Sequence, residues 1–401
     1  MSGPDSPGSG VRRTLVVAAV VAACVVVAVL AASWDPPDVE DLRVYRDAAQ
    51  RILDGQALYP PGSGYEAGQP LPFTYPPFAA LALVPLALMP VGSAVAVWWL
   101  LSFLCLWWLV HRSFAALLAP LGDLGRVAGS LLVAGLVVVV VDPVGRLFAF
   151  GQIGLVLGVL CLRDLDLGVR RSRAAGTLVG VSAAVKLSPG GFVLTYLAAR
   201  RWRAAATAVA TVLVCWAVAA LVLPSDTRTW LGLALDAERV GPVDEPVNVS
   251  WHGLVLRTLG AGAPATALWL LLAAVTLAIA AVRSGRALVA GDALAAATVM
   301  GFAIVLAAPI SWTHHMVWVV PLLGILVGAG RTWWRWLLVL AVVAVLSPPA
   351  MAWLNDDLGV HRDPSVLDRL RFDLPILLMV AAVLLVPDRG RSAATPVAET
   401  A

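Results

Sequence analysis

Charge is scarce in this sequence. Asp, Glu, Lys and Arg make up 13% of its 401 residues and hydrophobic residues 60%, whereas a soluble globular domain carries charge at about a quarter of its positions. An ordinary water-soluble globule is therefore excluded. The net charge is only +3, and the basic residues sit at the ends of apolar segments. That pattern belongs to membrane orientation and not to nucleic-acid binding. Cysteine is equally sparse: Cys24, Cys105, Cys161 and Cys215 all lie inside apolar runs, without metal-ligand spacing, and read as small buried hydrophobes. The chain shows no internal repeat, no separate soluble domain and no P-loop signature.

What it has instead is roughly ten apolar runs, each long enough or nearly long enough to cross a bilayer as helix. Runs such as 11–32 and 205–223 are continuously apolar and do not alternate, which disfavours a barrel of strands. The expected fold is an all-α polytopic membrane protein with about 10–12 transmembrane or partial membrane helices. Residues 1–10 and 388–401 read as disordered cytoplasmic tails, and 11–387 as one integral-membrane domain. The run after Arg12-Arg13 is too long for a signal peptide and lacks a convincing small-residue cleavage site before Trp34, so it reads as a retained anchor.

The polar segments then fall on two sides. Residues 34–75 hold seven acidic and three basic side chains, an outside-type composition. Within them Leu42, Tyr45, Ala49 and Ile52 recur at near-helical spacing and predict a short amphipathic helix lying on the membrane surface. The segment 78–88 is too short for an untilted span and predicts a partial helix. Further spans are expected over 93–110, 127–141, 153–162, 205–223, 265–282, 291–309, 314–329, 334–346 and 372–387. The stretch 174–199 begins and ends among arginines and is interrupted by Ser188-Pro189-Gly190-Gly191, which predicts a broken helix with both ends inside. Arg283, Arg286, Arg331, Arg335, Arg389 and Arg391 fall on the inner face. Asp41, a second external loop at 224–262, His314-His315 and the 356–363 stretch fall outside.

Asp41 leads the candidates for chemistry. A carboxylate close to a membrane face loses solvation, which raises its proton affinity and suits general-base work. A helix N-terminal acid or a solvated loop residue is the plainer reading, and Asp35, Asp38, Glu40 and Asp47 compete for the same role. Lys186 lies in an apolar segment beside the helix break, where it must snorkel, pair or line a cavity. Arg257 carries the same ambiguity. Gln152 either bonds a hydroxyl or satisfies a helix end. His314 and His315 are adjacent and face different directions, so they make a poor metal pair; a phosphate or sugar contact competes with a plain interfacial role. Tyr75 and Phe78, around Pro76-Pro77, suit stacking on a sugar or anchoring at the interface. No cofactor is expected, and the residues leave divalent-metal dependence open.

Taken in order, several pieces carry a likeness. They are Asp41-Leu42-Arg43-Val44-Tyr45, Gly55-Gln56-Ala57-Leu58-Tyr59, Phe73-Thr74-Tyr75-Pro76-Pro77-Phe78, Gly151-Gln152-Ile153, Lys186-Leu187-Ser188-Pro189, Asn248-Val249-Ser250 and Ser311-Trp312-Thr313-His314-His315. The chain resembles glycosyltransferase family 87, the actinobacterial polyprenol-phosphate-mannose-dependent alpha-(1→2)-mannosyltransferases. Two departures stand out: Gly154 where the family often has asparagine, and Ser188 where it often has threonine. The resemblance implies a GT-C fold with extracytoplasmic catalytic loops in the plasma membrane, both termini cytoplasmic. Its donor would be polyprenyl-phosphate-mannose and its acceptor a glycolipid or lipoglycan, with no nucleic-acid partner. It aligns Asp41 with the family's catalytic aspartate and implies substrate or phosphate contacts for Tyr45, Tyr75, Gln152, Lys186, Asn248, Arg257, His314 and His315. A donor on a lipid phosphate also accounts for the missing nucleotide-sugar signature. A pentose or glucose transferase on the same scaffold, and a lipid or sugar flippase, are the alternatives.

Overall fold

The computed structural model describes residues 39–387 apart from 63, 67–68, 235 and 356–365. The tails at 1–10 and 388–401, the first apolar run, Asp35, Asp38 and the 356–363 stretch lie outside these residues. The described residues form helices throughout, with a single isolated antiparallel bridge between Asn248 and Trp312.

Five helices among the described residues are long and apolar enough to cross a membrane: Val91–Ser113, Ala115–Val140, Trp202–Val222, Ala263–Val289 and Trp333–Ala352. A sixth span arises if Asp142–Ala149 and Gly154–Val169, bent by 116° at their junction, count as one. Large apolar side chains on these helices face outward, with Leu132 at 75% exposure, Leu213 at 59% and Leu221 at 83%. Such a surface suits lipid and not water. This is a multi-pass membrane protein. The shorter apolar helices Pro77–Ala87 and Ala293–Ala307 are partial-length elements; the second is buried along nearly its whole length and forms the centre of the main core.

The predicted amphipathic helix exists as α1 (Glu40–Leu53), and it buries Leu42, Tyr45, Ala48 and Ala49. It packs on α2 (Pro77–Ala87), whose start is set by the fixed φ of the Pro76-Pro77 pair. Arg46 completes the joint by donating to the carbonyls of Leu86 and Met89, at 3.3 and 2.8 Å, at and just beyond the C-terminal end of α2.

The interrupted stretch folds as a hairpin. One limb, α3 (Thr177–Val185), ends at Lys186 in extended backbone, a short 3-10 turn Ser188–Gly191 follows, and the second limb is α4 (Phe192–Ala198). Both limbs lie on the span α5 (Trp202–Val222). Gly176 abuts Ala204, Gly180 abuts Ala208, and the Trp216 indole donates to Ala184 O at 3.4 Å, so α3 and α5 run in the same direction. Leu197 and Val193 line one groove with Trp202 and Val209, so α4 runs back. Hence 174–199 enters and leaves on one side, as the arginines at its ends required, with Lys186 near the opposite side.

Small residues make this close packing possible, as usual between membrane helices. A Cβ at Gly176 would sit 2.1 Å from Ala204 O. Asp164 then locks the hairpin from the neighbouring helix Gly154–Val169. Its buried carboxylate accepts from the backbone N–H groups of Gly176 (2.6 Å), Leu178 (2.6 Å) and Val179 (3.0 Å), and from the Tyr196 hydroxyl. These are donors that the start of α3 leaves unpaired, and a negative group there complements the helix dipole.

The 224–262 stretch is not a featureless loop. It contains Pro224–Leu233 and Trp251–Leu259, the latter capped by Ser250, whose Oγ accepts from Gly253 N at 3.1 Å.

Candidate active site

Three distant pieces of chain meet at Asp41. The bend after Asp142–Ala149 turns through Phe150-Gly151-Gln152, and the Phe150 carbonyl accepts from the N–H groups of Asp41 and Leu42 at 3.0 and 3.2 Å. Those donors open helix α1 and have no partner within it. The Gln152 side chain neighbours the Asp41 carboxylate and favours its charged form. Asp41 is half-buried. Loss of hydration pushes its carboxyl up to about 6, against the opposing pull of Gln152 and Lys186 and with a small push from Glu40.

From Asp41 the polar contacts continue without a gap. The Tyr45 hydroxyl donates to Gln152 Oε1 at 3.0 Å and lies 3.0 Å from the Tyr75 hydroxyl. Burial raises the Tyr45 phenol well above its usual range, so it stays protonated. Lys186 Nζ donates to Tyr75 Oη at 3.4 Å, sits 5.2 Å from the Tyr75 ring centroid and lies 3.0 Å from His315 Nε2. Lys186 is the chain's sole lysine, and the hairpin break places it here.

The histidines differ. Burial and the Lys186 charge hold both well below the ordinary histidine range, so both are neutral. His315 is flanked by two donors: Lys186 on Nε2, and the Trp312 N–H 3.2 Å from Nδ1. A neutral imidazole has one lone pair to offer, so this ring meets more donors than it can satisfy. His314 packs edge-on against Phe150, and its buried Nε2 has no hydrogen-bond partner among the described residues.

Asp41, Tyr45, Tyr75, Gln152, Lys186, His314 and His315 are thus brought together. Asn248 and Arg257 are not part of this cluster, and the protein occupies their polar atoms. Asn248 donates to Val243 O (2.7 Å) and Pro309 O (3.3 Å) and accepts from Ser250 N (3.2 Å) and Ser311 N (2.9 Å). Arg257 donates to Glu245 O and Asn248 O, both at 3.0 Å, and to Asp373 at 3.1 Å. Both side chains are held by partners within the protein. They clamp the 243–257 stretch onto the 309–312 stretch that leads into the histidines. Glu40 and Asp47 are not in the hydrogen-bonded chain either.

The structure adds residues that the sequence did not single out. Tyr59 donates to Tyr75 O at 2.5 Å, Arg239 lies 5.9 Å from the Tyr59 ring centroid, and Trp98 packs against Tyr45 with ring centroids 6.2 Å apart. Asp226 accepts from Leu58 N at 2.8 Å and so fixes the 55–59 segment. Tyr59 lies inside one of the family-like motifs, which was the available signal. Arg239 and Asp226 sit in no motif. Among the described residues no group of three or more His, Cys, Asp or Glu is arranged to hold a metal ion.

A polytopic all-helical membrane protein with an acid, a lysine and two histidines gathered at a helix break has the organisation expected of a GT-C glycosyltransferase. Residues 73–309 match glycosyltransferase family 87, and the chain belongs to that family. It is 35% identical over 319 residues, 76% of this chain and 72% of that protein, to a polyprenol-phosphate-mannose-dependent alpha-(1-2)-phosphatidylinositol pentamannoside mannosyltransferase of Mycobacterium tuberculosis (strain CDC 1551 / Oshkosh). It is 36% identical over 316 residues to the protein of the same description in Mycolicibacterium smegmatis, covering 74% of this chain and 73% of that one. A second kind of relative, a polyprenol-phosphate-mannose-dependent alpha-(1-2)-phosphatidylinositol mannoside mannosyltransferase of M. tuberculosis (strain H37Rv), is 29% identical over 338 residues, 81% of this chain and 78% of that protein. No solved structure matches the chain.

Proposed function

We propose that this protein transfers mannose from polyprenyl-phosphate-mannose to a mannose hydroxyl of a glycolipid or lipoglycan of the phosphatidylinositol mannoside kind, forming an alpha-(1→2) linkage at the extracytoplasmic face. The observation that carries this reading is a partly desolvated carboxylate joined through one polar chain to the only lysine, in a member of family 87. Asp41, raised to about 6, is ionised at neutral pH yet basic enough to accept a proton, which suits a general base.

In the step proposed, Asp41 takes the proton of the acceptor hydroxyl as that oxygen bonds to the anomeric carbon. The bond from that carbon to the phosphate oxygen breaks, and its electron pair leaves with the polyprenyl phosphate. Attack opposite a beta-linked leaving group gives an alpha product. Lys186 sits where it can meet the developing phosphate charge. The surplus of donors around His315 supports an anion site at the same place, since a phosphate oxygen would accept the N–H the ring cannot. The leaving phosphate needs no proton, so no second carboxylic acid is required.

Reconstituted membranes supplied with polyprenyl-phosphate-mannose and phosphatidylinositol mannosides test this, with linkage analysis of the product. Asp41→Asn is expected to lose about 10²–10⁴ in turnover, whereas Asp47→Asn, which removes a neighbouring charge, stays near wild type. Equal turnover in Asp41→Asn sinks the base role. Transfer of a pentose or glucose in preference to mannose assigns a different donor on the same scaffold.

A further inference from the structure

The hydrogens along the chain between Lys186 and Asp41 can be assigned in turn. An ammonium only donates, so Tyr75 Oη accepts from Lys186. An amide oxygen only accepts, so the one hydrogen of the Tyr45 hydroxyl belongs to Gln152 Oε1. Tyr45 Oη must then accept from the Tyr75 hydroxyl, 3.0 Å away. With its oxygen turned to Tyr45, Gln152 presents its NH₂ group to Asp41. Every donor points the same way, from the cation to the carboxylate, and bonds aligned head to tail polarise one another.

We propose that Tyr75, Tyr45 and Gln152 form a one-way hydrogen-bond relay that holds the Gln152 amide donor on Asp41 and ties that carboxylate's orientation to the charge on Lys186. They are positioning residues: none is asked to touch the reacting atoms. Tyr45 reinforces the rotamer that Asp41 favours: its hydroxyl, already accepting from Tyr75, has its one hydrogen left for the Gln152 oxygen, and a Gln152 side chain turned end for end would put that oxygen against the Asp41 oxygens. The relay's use in catalysis rests on the base role proposed above, whereas its effect on Asp41 does not.

The charged and titratable groups around Asp41 are few. Its own helix supplies Glu40 and Tyr45, the hairpin break supplies Lys186, and the turn at 313–315 supplies His315 on Lys186 and His314 on Phe150. Arg146 lies over the Phe150 ring but is paired with Asp142 at 2.6 Å. Gln152 lowers the proton affinity of Asp41, so turning its amide donor away moves the titration upward.

Difference infrared titration of the Asp41 carboxyl band, assigned by its disappearance in Asp41→Asn, reads this without substrate. Tyr45→Phe keeps the ring packed and is expected to shift the midpoint upward by about half a pH unit or more. Gln152→Met is expected to give the same shift, and the double variant no more than either alone, because all three remove one bond. In transfer assays kcat should fall about tenfold with donor KM unchanged, and the acid limb should move with the midpoint. An unmoved midpoint in Tyr45→Phe, or additive shifts, overturns the relay. A raised KM with unchanged kcat also overturns it, by assigning the tyrosines to substrate contact. If the wild-type protein transfers no mannose, the titration still decides the relay while the base role fails separately.

Discussion

Gly151 and Leu42 touch at a point where the protein has no room for a side chain. A Cβ on Gly151 would lie 2.6 Å from Leu42 Cβ, and its backbone holds φ +66°. Both conditions select glycine, one by space and one by the left-handed region. The contact seats the Phe150 carbonyl on the first donors of α1 and so places Asp41.

Gly151→Ala should therefore act on the site through the backbone. The expected result is a loss of at least about 1 kcal/mol of stability together with a large fall in transfer. Thermal unfolding in detergent and turnover measured on the same preparation check this. Wild-type turnover would mean that the turn tolerates a shift without moving Asp41.

The pH dependence has a definite sign. Asp41 must be ionised to accept a proton, so activity should fall as pH drops through about 6 and be flat above neutrality until another group titrates. Stability runs the other way. A carboxyl raised above its unfolded value favours folding while protonated and loses that contribution as pH rises from about 3.8 through about 6. Asp41→Asn should thus lose most of its transfer yet stabilise the protein at neutral pH, by about 1 kcal/mol or more. An unfolding curve for this variant at pH 7 that lies below wild type contradicts the desolvation account.

Asp164 holds the start of α3 to its neighbour through three N–H groups and the Tyr196 hydroxyl. Asp164→Ala leaves those buried donors without a partner. A loss of about 3 kcal/mol or more is expected, and Tyr196→Phe should cost about 1–2 kcal/mol. Chemical denaturation of the two variants gives the comparison. A near-neutral Asp164→Ala would show that the hairpin is held by its small-residue packing alone.

Arg257 and Asp373 join the helix Trp251–Leu259 to the helix Val366–Leu385 across 116 residues of sequence. Burial lowers the proton affinity of the guanidinium, and Asp373 opposes that shift. Asp373→Asn should cost about 1–2 kcal/mol, reduced by the partial exposure of both groups. Arg257→Lys should be worse than neutral replacement of the acid, because one ammonium cannot reach Glu245 O, Asn248 O and Asp373 in the fork geometry of arginine. Stability measured alongside donor KM separates a clamp from a phosphate contact: KM near wild type in a folded Asp373→Asn supports the clamp.

Particular elements show how far the sequence could be read. The helix at 40–53, the partial helix after Pro76-Pro77 and the break at Ser188-Pro189 were legible because apolar spacing and proline act locally. The helix Asp142–Ala149 and its 116° bend were not, since a polar stretch between two apolar runs looks like any connection. Among the site residues, an acid, a lysine and two histidines were visible as polar groups out of place. Asn248 and Arg257 looked equally out of place, and only their partners show that they are spent on backbone carbonyls and Asp373.

By itself, then, the amino-acid order determined that the chain lives in a membrane, where helices begin and stop, and which ionisable groups sit where hydrocarbon should make them costly. Those are properties of composition, period and local stereochemistry. Which of those groups share one site was decided by the fold. Asp41 and Lys186 are 145 positions apart, and they meet through Gln152, Tyr45 and Tyr75 because a glycine turn lets α1 approach and a proline break stops a helix beside them. Hydration loss and hydrogen-bond direction depend on neighbours in space, and no reading along the chain supplies those.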